Sequence, residues 1–210
     1  MVSSARRRQR KGTEGKAEAS DDLAIGFVNT CAWRLRDEHE ERLPDTKALL
    51  EWMKGNGIEA PRGLASSLLA PGSDKPGKAL HRDAIVLREA IYTILTARIR
   101  SEQPSARALS DFNQFLSQSM RGLALDARAG GLAWKLSAAA SHDSLLKPIL
   151  MSAAELMVGT RADRVKQCQD DRGCGWLFVD DSRAQNRRWC SMGDCGNVAK
   201  ARRHYERTRG

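Results

Sequence analysis

Residues 168–207 read CQDDRGCGWLFVDDSRAQNRRWCSMGDCGNVAKARRHYER, and four of the five cysteines of this 210-residue chain fall within them. The spacing is Cys168-x5-Cys174-x15-Cys190-x4-Cys195, two close pairs joined by a longer excursion. Each pair offers two sulfurs from a tight turn and the excursion brings the pairs together, as a tetrahedral thiolate site requires. Zn2+ suits this donor set best. Four thiolates close the coordination shell and leave no place for a catalytic water, which marks a structural site. An iron–sulfur cluster and a redox-sensing thiol pair are the competing readings, and the absence of Cys-x2-Cys weighs against the second. A tail of about 45 residues with so few large apolar side chains cannot bury enough surface unaided. A structural zinc supplies an apparent ~10–16 kcal/mol in such peptides.

Working outward, Trp176-Leu177-Phe178-Val179 is a short strand-like run ended by Asp180-Asp181-Ser182. The segment from Asn197 to Arg209 is composed of good helix formers. At about 100° per residue, Val198, Ala201, Tyr205 and Thr208 share one face, expected to pack on the zinc knuckle. Lys200, Arg203 and Arg207 form a basic stripe on another face, with Arg202 and Arg209 on a flank. Arg183, Arg187 and Arg188 add three cations, so that eight Lys/Arg face two acids from Arg183 to Gly210. That density suits phosphate contact, and Arg183, Arg187, Arg188, Lys200, Arg202, Arg203 and Arg207 are the candidate nucleic-acid contacts. The bland alternative is a solvated basic helix end.

Net charge is +9, and its distribution is uneven. Residues 1–16 and residues 161–210 each carry +5, leaving the middle at −1. A polyanionic partner is therefore expected at the ends and not in the middle. Residues 1–20 read as a disordered basic tail. No apolar run approaches the roughly 18–20 residues of a membrane-spanning helix, and the basic start is not followed by a secretory signal pattern. A cytoplasmic protein with no membrane partner is expected.

Between the two ends the pattern is mainly helical. Leu23, Ala24, Phe27, Val28 and Cys31 follow helical spacing, with Cys31 as a core thiol. Pro44-Asp45-Thr46 opens a second helix, stopped by Gly55-Asn56-Gly57. Residues 71–77 (PGSDKPG) read as a loop. Helices are then expected over Lys78–Glu102, Ser105–Met120 and Ser144–Thr160, with Pro148 in the first turn of the last. Two alternating stretches, 122–127 and 132–137, pair as a hairpin across Arg128-Ala129-Gly130-Gly131. Composition shifts near Arg161. The chain thus divides into a tail (1–20), a helical domain with a small hairpin (21–160) and a small zinc finger of short strands and one helix (161–210): mainly α overall.

The run from Cys168 through Cys174-Gly-Trp-Leu-Phe-Val-Asp, Arg187-Arg188-Trp189-Cys190-Ser191-Met192, Cys195-Gly196-Asn197 and Arg202-Arg203-His204-Tyr205 resembles the CGNR zinc-finger family of bacterial proteins. The preceding part is similar to the ABATE domain that usually accompanies this finger, through Phe27-Val28-Asn29-Thr30, the Leu49 to Trp52 stretch and Leu87-Arg88-Glu89-Ala90-Ile91. The resemblance implies a one-component stress-response regulator, in which a ligand-sensing helical domain is joined to a DNA-binding finger. One position departs from the pattern: the family motif ends in Arg, and here Val198 follows Asn197. Because 198 lies on the apolar face, Val198 is expected to pack there.

Asn29, Thr30, Arg88 and Glu89 are the candidate ligand-pocket residues, since polar groups among apolar helix faces line small-molecule cavities. Helix capping and an internal Arg–carboxylate pair are the alternative. The four histidines have no metal-ligand spacing, and no phosphate loop, nucleophile triad or paired-carboxylate motif stands out, so no enzyme activity is expected. The leading expectation is a zinc-dependent transcription regulator that binds double-stranded DNA. Its helical domain would sense a small-molecule effector or mediate homodimer formation. The alternative is a zinc-stabilised protein-interaction module without DNA binding.

Overall fold

The computed structural model describes residues 22–70, 74–120, 123–128, 130–136 and 142–209; the expected tail, residues 1–20, lies outside them. Seven α-helices and three two-stranded antiparallel sheets are found among these residues. The mainly α fold class read from the sequence is the observed one.

The chain opens with α1 (Leu23–Val28), capped by Asp22, whose Oδ1 accepts from the amides of Ala24 (3.1 Å) and Ile25 (3.3 Å). α1 stops earlier than its apolar spacing suggests. Cys31, expected on a helix face, instead sits in β1 (Cys31–Ala32), paired with β2 (Glu40–Glu41), where it is buried. α2 (Thr46–Gly55) starts at Asp45, which accepts from the amide of Ala48 at 2.8 Å. α3 (Arg62–Leu69) follows; Pro61 stands at its N-cap, and the sequence pattern did not reveal this helix.

α4 (Asp74–Ile99) is the long central helix and begins inside the segment read as a loop. Pro76 falls in its first turn, where a missing N–H costs nothing. Gly77 permits close packing of α4 on α3, since a Cβ there would stand 2.3 Å from the carbonyl oxygen of Leu68. α5 (Ala106–Met120) leads into the expected hairpin, β3 (Leu123–Arg128) and β4 (Gly131–Leu136), in register Leu123↔Leu136 to Arg128↔Gly131, so that Arg128 and Gly131, read as turn residues, are paired strand residues. A 3-10 turn (His142–Leu146) runs into α6 (Lys147–Val158), with Pro148 in the first turn.

α1, α4 and α6 meet in the core, where Phe27, Leu87, Ile91, Leu95, Ile149 and Leu150 are essentially solvent-free. The finger contributes to the same core. β5 (Val165–Gln167) pairs with β6 (Leu177–Val179), and Val165 and Leu177 join the cluster formed by the helices. α7 (Asn197–Arg209) follows a turn of π-helix (Met192–Gly196) and buries none of its residues. The expected packing of its apolar face is therefore not found: Val198 is 37% and Tyr205 52% exposed. Side chains of the helix nevertheless reach the knuckle, Arg202 pairing with Asp171 and Arg203 approaching the Trp189 ring.

Candidate metal centre and its basic helix

The connection between β5 and β6 presents the first two cysteines. Cys168 directly follows β5, and its amide donates to the carbonyl of Trp176 at 2.8 Å, extending the ladder to the edge of the site. Cys174 lies on the loop that returns to β6. Cys190 precedes the π turn and Cys195 lies within it, where the amide of Gly196 donates to the carbonyl of Ser191 at 2.9 Å. All four sulfurs lie within 4.8 Å of one another, with Cys174–Cys190 and Cys190–Cys195 both at 3.8 Å. A zinc tetrathiolate with Zn–S near 2.3 Å has S···S edges of about 3.8 Å, so the quartet fits one zinc ion. Its electrostatics agree. The hydrogen bonds from Cys174, Cys190 and Cys195 drive the Cys168 thiol strongly toward thiolate, while donating to their neighbours pushes the Cys190 and Cys195 thiols up. Four crowded sulfurs ionise together only around a divalent cation.

The wall behind the metal site comes from the N-terminal part of the chain. The amides of Arg34 and Leu35 donate to the carbonyls of Cys174 (3.1 Å) and Gly173 (3.2 Å), like a strand laid on the knuckle. This approach explains the glycines on either side of Cys174. Both have positive φ (88° and 68°), and a Cβ on either would come within 3 Å of Arg36 or Leu35 side-chain atoms. Trp33, itself at φ 57°, packs against the cysteine cluster with the guanidinium of Arg36 stacked 3.7 Å from its ring centroid. A non-glycine residue in that conformation stores about 1–3 kcal/mol and persists only where its surroundings fix it. Trp176 reaches the other way, donating Nε1–H to the carbonyl of Cys31 at 3.2 Å. Sequence reasoning passed over residues 33–36. The paired glycines around Cys174 were the one available signal that a second backbone comes close.

Asn29, Thr30, Arg88 and Glu89 are brought together beside this wall, and their polar atoms are taken up by protein. Asn29 acts as a surrogate strand residue: Nδ2 donates to the carbonyl of Leu177 (2.8 Å) and Oδ1 accepts from its amide (3.0 Å). Thr30 donates to the carbonyl of Phe27 and accepts from Arg88 at 3.2 Å. The buried Arg88 grips Glu41 with two bonds (2.7 and 2.6 Å) and donates Nε–H to Glu89 at 2.8 Å. Glu89 in turn accepts two bonds from Arg34 (2.7 and 3.1 Å). Burial pushes the Glu41 and Glu89 carboxyls up, but the hydrogen bonds and charge of Arg88 and Arg34 outweigh it and hold both below the usual range.

The candidate nucleic-acid contacts divide into two groups. Arg187 is committed inward: its guanidinium donates to the carbonyl of Cys190 (2.9 Å) and covers the Phe178 ring, while its amide donates to buried Asp180 (2.8 Å). Arg202 is neutralised by Asp171 and, at 3.1 Å, by Glu206. Arg183, Arg188, Lys200, Arg203 and Arg207 have no carboxylate partner among the described residues, and all five are exposed. Arg188 and Arg203 approach the Trp189 ring (5.3 and 5.6 Å from its centroid), tying the loop after β6 to α7. Lys200, Arg203 and Arg207 line one shallow depression with Glu206.

Residues 164–208 match the CGNR zinc finger, and residues 21–160 match ABATE, described as "Putative stress-induced transcription regulator". The chain belongs to the ABATE family. No curated protein matches it. ABATE and CGNR domains therefore adjoin in sequence, and in this chain Asn29, Trp33, Arg34 and Leu35 of the ABATE part hold the finger directly. Both matches are to regulatory and zinc-finger families, so the chain is a zinc-binding regulator by family, and no helix among the described residues is long and apolar enough to cross a membrane.

Proposed function

We propose that this chain is a zinc-dependent, DNA-binding transcription regulator acting in the cytoplasm, with no enzymatic step of its own. The observation that carries the reading is α7: thirteen residues, none buried, mounted on the thiolate site with Lys200, Arg203 and Arg207 unpaired by any carboxylate among the described residues. Such a helix is about 20 Å long, and a major groove about 12 Å wide admits it. Arg183 and Arg188 extend the cation array onto the loop beside it, where each phosphate contact releases counterions. The ABATE part is the proposed regulatory half, sensing a small-molecule effector or pairing two copies. Asn29, Thr30, Arg88 and Glu89 remain the proposed route by which an effector would act, because Asn29 bonds the finger at Leu177 and Glu89 holds Arg34, whose amide bonds Cys174.

The test is duplex affinity as a function of salt. Lys200→Glu with Arg203→Glu should abolish most binding and reduce the salt slope by about 2, while the zinc content stays at one per chain. Affinity that is indifferent to salt would refute phosphate contact. The exposed Val198 and Tyr205, seven residues apart on one face of the same helix, favour a second reading as a protein-interaction module. Under that reading the double charge reversal leaves no DNA affinity to lose.

A further inference from the structure

Four thiolates around Zn2+ leave a net charge of about −2, and groups around the sulfurs must absorb it. One of these sulfurs meets a guanidinium: Nη2 of Arg172 points at Cys195 Sγ from 3.9 Å.

Arg172 is fixed with unusual care for a residue on a surface loop. Its Nε and Nη2 fork onto the carboxylate of buried Asp170 (3.0 and 2.6 Å), and its own amide donates to the same carboxylate at 3.0 Å. Asp194 stands 3.7 Å from Nη2, the Trp33 ring lies 5.4 Å away, and the Arg172 carbonyl accepts from Nε of Arg36 at 2.5 Å. The bidentate clamp fixes the guanidinium plane and leaves Nη2 shared between carboxylate and sulfur. None of this geometry serves a phosphate contact, and it holds whether or not DNA is the partner.

We propose that Arg172 is the positioning residue that retains the zinc. Its N–H draws charge from the Cys195 thiolate, which lowers the nucleophilicity of that sulfur. Cys190 is half-buried where the other three are buried, and so it is the first to meet an electrophile. Groups outside the ligand set commonly tune metal affinity by about 10–100-fold, and the same range is expected here.

The experiment uses the full-length, zinc-loaded protein with Arg172→Gln and Arg172→Lys. Zinc transfer to a chromophoric chelator is timed, and limiting iodoacetamide is followed cysteine by cysteine by peptide mass spectrometry. In that reaction a thiolate sulfur bonds to carbon and iodide leaves with the C–I electron pair, so the yield at each site reports its nucleophilicity. The wild-type protein should label Cys190 first, ahead of the buried Cys195. Arg172→Gln should speed zinc transfer by about 10-fold or more and move Cys195 up to or ahead of Cys190. Arg172→Lys, which keeps the cation, should restore part of both. Uniformly faster labelling of all four cysteines in Arg172→Gln, or an unchanged rate of zinc transfer, would overturn the proposal.

Discussion

At the scale of single residues, the guanidinium of Arg88 shows what the helical domain spends to hold α4 to the β1–β2 segment. It is 3% exposed and lies between Glu41 and Glu89, so removing one carboxylate strands a buried charge. Glu41→Gln should cost about 2 kcal/mol at neutral pH, below the usual range for fully buried pairs because Glu41 keeps some solvent contact. The pH dependence has a definite sign. Both carboxyls sit lower in the folded chain than in the unfolded one, so the unfolded state takes up protons first. Their contribution is complete above about pH 4.3 and is lost as pH falls through the folded values. Urea midpoints measured from neutral pH downward should fall in the wild-type protein and fall less steeply in Glu41→Gln. The four cysteines were readable from spacing alone, because thiolate chemistry leaves few other uses for such a cluster. The partners of Asn29 and Arg88 were not, because Leu177 and Glu41 stand 148 and 47 residues away in the sequence.

At the scale of elements, local signals worked where the chain satisfies its own backbone. Asp45 and its Oδ1 mark the start of α2, and the expected end residues of α7 are the observed ones. They failed where tertiary packing overrides them. PGSDKPG reads as a loop, yet α4 starts at Asp74, because Pro76 is tolerated in a first turn and Gly77 fits beneath Leu68. Gly77→Ala should therefore destabilise the protein by about 1–3 kcal/mol, although alanine is the better helix former, since its methyl would collide with a backbone carbonyl. A chemical-denaturation midpoint at or above wild type would contradict this packing. α7 went wrong in the opposite direction. Its periodicity promised a buried apolar face, but too few large apolar residues back it, and Val198 and Tyr205 stay in solvent.

At the scale of the molecule, the finger is part of the folded body through Val165, Leu177, Asn29 and the Arg34–Cys174 bond. Zinc should accordingly stabilise more than its own knuckle. Chelation is expected to lower the melting temperature of the helical signal in far-ultraviolet circular dichroism, as one cooperative transition and not as loss of a separate small unit. An unchanged helical melt after zinc removal would show the two parts to be energetically independent. The free cations on α7 and beside Trp189 then carry the functional claim, with Val198 in the place of the family's arginine. The most direct test is selection of bound sequences from a random duplex pool by the full-length protein, with and without a chelator. Enrichment of a defined sequence that disappears with the zinc is the expected result; no enrichment from the zinc-loaded protein would contradict DNA binding.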